Sequence, residues 1–269
     1  MVEVKVTPPI DSVGYTTTDK GVQLYTNTHD PNNNTRYYRW DYSETWQFHA
    51  KYQSGYKSDG KEIVNRPVSE DIYSCFGNHA SSTILLGSSA KLAKDVIYQN
   101  PITAIVSTDE KIETKYSILL RQYALTSDAY NFWVNLKKNT EQLGSIFDAQ
   151  PSNINGNLHN IANASEPVIG YISACSVQTK RIFITKDQLP QSFNTVYPYS
   201  CSADSVFYAK GNPPFNEVEN VLIPLPSSYI PISAFMLGNS LSISGFTASS
   251  LECVDCTIRG TKTKPAFWK

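Results

Sequence analysis

The chain has 269 residues, enough for one large β domain or two ordinary ones. Its net charge of −1, without any long Lys/Arg run, excludes a partner that must be followed along a phosphate backbone. Mean hydropathy of −0.32 suits a soluble body with a sizeable core. No apolar run approaches the ~20 residues that span a bilayer. Charged residues make up only 17 %, below the usual quarter or so, and Ser, Thr and Asn take their place, as on secreted and cell-surface β proteins.

Met1 is followed by Val-Glu-Val-Lys-Val, which has neither the basic start nor the apolar centre of a signal peptide. Cytoplasmic residence and a fragment that has lost its leader both stay open. Pro8-Pro9 closes this lead-in, and residues 12–17 predict a first strand. Residues 21–26 alternate apolar and polar side chains and predict a second. A turn cluster, HDPNNNT, follows at residues 29–35. Asp30 with Asn32, Asn33 and Asn34 offers oxygens to a calcium ion but lacks a distal bidentate Glu, so a plain turn is the expectation.

Residues 36–49 predict a long aromatic strand, with Tyr38, Trp40, Tyr42 and Trp46 on one face and Arg39, Asp41 and Ser43 on the other. Such a face is core or a sugar-binding or peptide-binding platform; burial is the commoner use. Residues 51–78 are polar and tyrosine-rich without strong periodicity, and read as a long surface excursion. Strands are expected again at 82–86, 96–98, 102–107 and 116–125, the last placing Tyr116, Ile118, Leu120 and Gln122 on one face. A helix is predicted over about residues 127–143. Thr126 or Ser127 supplies the cap, Asp128 favours the positive end, and Ala129, Phe132, Trp133, Leu136 and Leu143 form an apolar stripe stopped by Gly144. Residues 168–176 and 181–185 read as strands, and residues 187–231, rich in proline, as extended coil.

Chemical motifs are sparse. His29, His49, His79 and His159 stand singly, with no G-x-S-x-G elbow. The glycines after the helix have neither dinucleotide nor P-loop spacing, and Glu217 with Glu219 is ordinary on a surface. Five cysteines are present: Cys75, Cys175, Cys201, Cys253 and Cys256. The C-V-D-C pair lacks the second ligand pair of a zinc site and the strand-to-helix setting of a redox motif, which leaves structural use: a disulfide with Cys201, or burial. An odd count leaves at least one thiol unpaired within the chain.

The segments RYYRWDYSETW (36–46), YSILLRQYALTSDAYNFWVNLKKNTEQLGSIFDAQPSNINGN (116–157), EPVIGYISA (166–174), RIFI (181–184) and CVDCTIRGTKTKPAFW (253–268) together resemble the bacterial family catalogued as domain of unknown function 4249. The resemblance implies an exported lipoprotein, held at the outer membrane by an acylated N-terminal cysteine and encoded beside TonB-dependent receptors. It also implies a further N-terminal β domain. The chain departs from the pattern in lacking lipobox and N-terminal domain, which points to a truncated soluble part. The oxidising compartment so implied adds the hypothesis that Cys201 pairs with Cys253 or Cys256. The resemblance carries over no catalytic residue.

These readings combine into a mainly β expectation. A fibronectin-III- or immunoglobulin-like sandwich with one inserted helix occupies residues 8–185, and a C-terminal coil and strand wrap occupies 186–269, as a separate extension or as one body with the rest. The expected function is non-enzymatic: ligand capture or transporter contact beside a TonB-dependent receptor, with a small molecule, glycan or peptide as ligand. A hydrolase acting on glycan or peptide and a structural adhesin are the alternatives. If a ligand site exists, the excursion is the expected place, with Tyr52, Tyr56 and Tyr73 as contacts. No cofactor, metal ligand or nucleic-acid partner is assigned, and membrane attachment is expected only through a lipid anchor that this chain does not carry.

Overall fold

The computed structural model describes residues 3–141, 156–163, 165–239 and 241–269. The first strands are β1 (Val4–Lys5), β2 (Ile10–Thr18), β3 (Gly21–His29) and β4 (Tyr37–His49). Then come β5 (Tyr56–Ser58), β6 (Ile63–Asn65), β7 (Ser74–Ala80), β8 (Leu85–Ser88), β9 (Val96–Val106) and β10 (Lys115–Leu125). Helix α1 is Ser127–Glu141. The remaining strands are β11 (Ala174–Cys175), β12 (Val177–Thr185), β13 (Asp204–Phe207), β14 (Tyr229–Phe235) and β15 (Gly245–Ser250), and a short helix α2 (Leu251–Val254) follows. The protein is mainly β and built largely of antiparallel ladders, consistent with the sandwich expected. It divides into two compact units, each assembled from three separate stretches.

Unit 1 comprises Met1–Glu44, His79–Ser107 and Ser117–Ile184. In it β2, β3 and β9 form an antiparallel sheet, with Val13 opposite Thr26 and Val22 opposite Ile105. The alternation read in residues 21–26 is real: Val22, Leu24, Thr26 and Thr28 are buried. Gly21 makes the β2–β3 turn at φ +144°, and a Cβ there would lie 2.0 Å from the Ile105 carbonyl oxygen. The strands 96–98 and 102–107 expected separately are one strand, β9.

A second ladder in unit 1 runs β12, β10, β4, with β8 paired to the start of β4. Tyr38, Trp40 and Tyr42 are buried, so the aromatic face is core. Gly87, opposite Tyr38, leaves the space that the Trp40 ring fills. Gln122, 0 % exposed, accepts from Trp40 Nε1 at 2.8 Å and donates to the Pro8 carbonyl at 2.8 Å and to Thr28 Oγ1 at 2.9 Å. Both the oxygen and the nitrogen of this buried amide are therefore hydrogen-bonded.

Helix α1 begins where expected, with Thr126 Oγ1 accepting from Ala129 N at 3.2 Å. Ala129 and Phe132 are buried, Tyr130 meets Tyr37 with ring centroids 4.9 Å apart, and the Arg39 guanidinium lies 4.4 Å from the Trp133 ring. The helix is a packing element of unit 1. Leu143 and Gly144, named in the sequence reading, lie outside the described residues. The strand expected at 168–176 is corrected: only Ala174–Cys175 is extended into a ladder, because the one partner it meets is the two-residue β1, in parallel.

Unit 2 comprises Thr45–Asn78, Thr108–Tyr116 and Thr185–Lys269. It holds the last part of β4 with β7 beside it, the β5–β6 hairpin, and the antiparallel sheet β13–β15–β14. One core cluster joins Val206, Phe246 and Ala248 of that sheet to Val218 and Leu222 of a single π-helical turn. The excursion at 51–78 is more ordered than its composition suggested, since it contributes β5, β6 and β7 and ends its path across the surface at the buried Cys75. Likewise 187–231 holds β13, the π-helical turn and the start of β14.

The two cysteines of C-V-D-C enter different bonds. Cys201 is bonded to Cys253 and Cys75 to Cys256, each with Cα atoms 5.7 Å apart. Cys75 and Cys256 lie in a second core cluster with Phe48 and Ala50, against which Trp46 and Tyr73 pack. Cys175 is free and half-buried.

Candidate functional site

The β5–β6 hairpin turns at Asp59, whose Oδ1 accepts from Lys61 N and Glu62 N at 2.8 Å each while Gly60 takes φ +89°. These backbone bonds hold the Asp59 carboxyl below its ordinary value. Pro67 ends the return strand and keeps the preceding Arg66 extended. The Arg66 backbone N–H donates to the Gly55 carbonyl at 2.8 Å. Its side chain donates from Nε to Ser54 Oγ at 3.2 Å and from Nη2 to the Tyr56 carbonyl at 3.0 Å. Ser54 Oγ lies 2.7 Å from the Pro231 carbonyl of β14, so the hairpin is tied to the sheet edge through the same serine.

Arg66 lines two recesses of unit 2. One, of about 500 Å³, is walled by Tyr56, Pro67, Val68, Asp71 and Ile232 among others. The second, of about 210 Å³, is walled by Lys57, Leu222, Leu225, Tyr229 and Ile230 among others. The other charges are matched: Lys57 pairs with Glu70 at 2.6 Å and Lys262 with Asp71 at 2.5 Å. Arg66 alone among these has no carboxylate within ion-pair distance among the described residues. Burial pulls its guanidinium down from the ordinary value, against the more distant Asp255, Glu70 and Asp71. At Asp71 burial pushes the carboxyl up, but the Lys262 ammonium and the Tyr73 and Ser74 N–H groups outweigh it and hold it below the usual range.

A guanidinium fixed by two hydrogen bonds, with free N–H donors, beside an aromatic ring and aliphatic walls, can bind a carboxylate that carries an apolar group. The lining of both recesses contains no histidine or cysteine.

The three tyrosines singled out in the sequence have separate surroundings. Tyr56 lines the larger recess and meets Phe246 edge-on at 5.1 Å. Tyr52 donates to the Cys201 carbonyl at 3.4 Å. Tyr73 is stacked on His49 at 4.5 Å. Arg66 was not singled out, because nothing local distinguishes N-R-P from other exposed coil; its setting arises from β14, far away in sequence. The Asp30 carboxylate is spent on turn N–H groups, those of Asn32, Asn34 and Thr35, each at 2.9 Å, so the plain turn is what forms. Burial pushes this carboxyl up, but those three N–H groups outweigh it and leave it lowered.

Elsewhere in unit 2, Glu113 accepts from the His49 backbone N–H and from the Tyr197 hydroxyl, both at 2.9 Å, with His49 Nδ1 at 3.7 Å. Burial pushes the Glu113 carboxyl up, yet the His49 and Tyr197 hydrogen bonds overcome it and set it below its ordinary 4.5. A carboxylate depressed on folding contributes stability that is present above its unfolded pKa and is lost as pH falls through the folded one. Urea midpoints of the wild type should therefore drop as pH is lowered below about 4.5. Glu113→Gln should be less stable at pH 7 and should flatten that acid limb; an unchanged limb would contradict the role of Glu113.

A family profile described as "Domain of unknown function (DUF4249)" matches residues 1–181, about two thirds of the chain. The C-terminal block at 253–268 lies beyond the matched span. No curated protein and no solved structure matches the chain.

Proposed function

The chain belongs to the DUF4249 family, and on that premise we propose that it is a non-enzymatic binding protein at the bacterial outer membrane, accessory to a TonB-dependent transporter. Its task in this reading is to capture ligand for the transporter. The observation that carries the ligand-capture part is Arg66, a half-buried cation held rigidly by Ser54 and Tyr56 and unmatched by any described carboxylate. A half-buried charge without a counter-ion leaves a place for a ligand that supplies one. The two disulfides support an oxidising compartment, where such bonds persist.

The ligand class that fits is a small carboxylate with an apolar body, such as a peptide terminus. N-acetylphenylalanine should perturb the backbone amide signals of Tyr56, Arg66 and Ile232, whereas its C-terminal amide, lacking the carboxylate, should not. Arg66→Gln should remove the difference between the two probes; equal responses to both in the wild type would end the carboxylate reading. The transporter part has its own test. The full-length lipoprotein, isolated from outer membranes, should bring a TonB-dependent receptor with it, and recovery without any such receptor would count against it.

A further inference from the structure

The β14–β15 connection of unit 2 carries four exposed apolar side chains on either side of its turn. Met236, Leu237, Leu241 and Ile243 are 60, 56, 101 and 45 % exposed. From Asn220 to Leu251 the chain has no acidic or basic residue at all. Gly238 lies in that turn at φ +57°. At its base Leu237 N–H donates to Ser244 Oγ at 3.0 Å and Ser244 N–H to the Phe235 carbonyl at 2.9 Å, so these polar groups are satisfied within the hairpin. Aromatic side chains surround that base. Phe207 meets Phe235 edge-on at 5.3 Å, and the partly exposed Tyr208 donates its N–H to the Ser244 carbonyl at 3.0 Å. Lys210 follows, its ammonium 5.4 Å from the Phe207 ring and 2.8 Å from Glu217.

We infer that this connection inserts into the interfacial layer of a lipid bilayer. Aliphatic side chains flank the Gly238–Asn239 turn and aromatic ones lie at its base, the combination of groups that a membrane interface accepts. Four aliphatic side chains are a small contact for another protein, since a stable protein interface takes roughly 800 Å² from each partner. They need no such area in lipid, where each apolar group gains separately. The absence of charge along the whole hairpin also gives a neutral lipid surface nothing to repel and an acidic protein patch nothing to attract. The inference is independent of the Arg66 recess and of any transporter.

The test is flotation of this chain with neutral phosphatidylcholine vesicles. The wild type should float, to the same extent at low and high salt, because no charge pair is involved. A variant carrying Met236→Ser, Leu237→Ser, Leu241→Ser and Ile243→Ser should keep the wild-type urea midpoint and lose roughly tenfold or more of the bound fraction. Leu241→Asp alone should give a smaller loss in the same direction. Failure of the wild type to float, flotation abolished by salt, or equal flotation of the variant would overturn the inference. So would a wild-type dimer, seen by light scattering and lost in the variant, without any vesicle binding.

Discussion

Leucine in place of Gln122 should destabilise the folded chain by about 3 kcal/mol or more. The side chain is nearly the same size, so little cavity is made, and the loss comes from hydrogen bonds. Trp40 Nε1–H and the Pro8 carbonyl lose the partners they have at 2.8 Å, and the Trp40 side chain, 1 % exposed, has no water to turn to. Thr28 keeps its bond to the Pro9 carbonyl and suffers less. Urea denaturation at constant m-value would measure the change. Adding Trp40→Phe to Gln122→Leu should recover part of it, since the orphaned indole N–H is then gone. A single-variant effect under about 1 kcal/mol would mean that the amide is not the sole partner of these groups.

Removal of the Cys75–Cys256 bond, by Cys75→Ala with Cys256→Ala, should cost about 3–5 kcal/mol. The bond joins residues 181 apart, and a cross-link over so long a stretch restricts the unfolded chain strongly. The Cys201–Cys253 bond spans 52 residues, and its removal should cost about 1 kcal/mol less in the same loop-entropy account. The order of the two effects is the sharper test, because strain and residual structure blur each absolute value. Both bonds lie in unit 2, which holds Trp46 and Trp268, while Trp40 and Trp133 lie in unit 1. Fluorescence of variants retaining one pair of tryptophans would locate the loss; a loss seen first through Trp40 and Trp133 would contradict the assignment.

Much of unit 1 was legible because its signals are local. The alternation of Tyr38, Trp40 and Tyr42, and of Ile118, Leu120 and Gln122, survives as buried faces, and the helix start at Ser127 follows from its cap. What was not legible depends on distant partners. Residues 168–176 have strand composition but meet only Val4 and Lys5 as a ladder. The β5 and β6 strands are three residues each, too short to show a period. In β14 a proline, Pro231, falls where the register with β15 shifts, so a residue that argues against a strand marks an irregular one. At the site, Tyr56 of the excursion lines a recess, while Tyr52 and Tyr73 have other surroundings. Arg66 could not be found from sequence, because what makes it notable is the missing counter-ion and the serine that ties it to β14.

The free Cys175 and the long reach of the Cys75–Cys256 bond together set an order of events. Of these five cysteines, synthesis presents Cys75 first and Cys175 next, before any of Cys201, Cys253 and Cys256. Throughout that interval Cys175 is the partner among these five that is open to Cys75, and that pairing is absent from the finished fold. The native bonds therefore complete only after the last stretch has appeared, either from thiols kept reduced until then or by exchange out of a Cys75–Cys175 bridge. Within the stretch given by these five cysteines, closure of the Cys75–Cys256 bond is thus late by necessity, and Cys175 is the competitor it must avoid or displace.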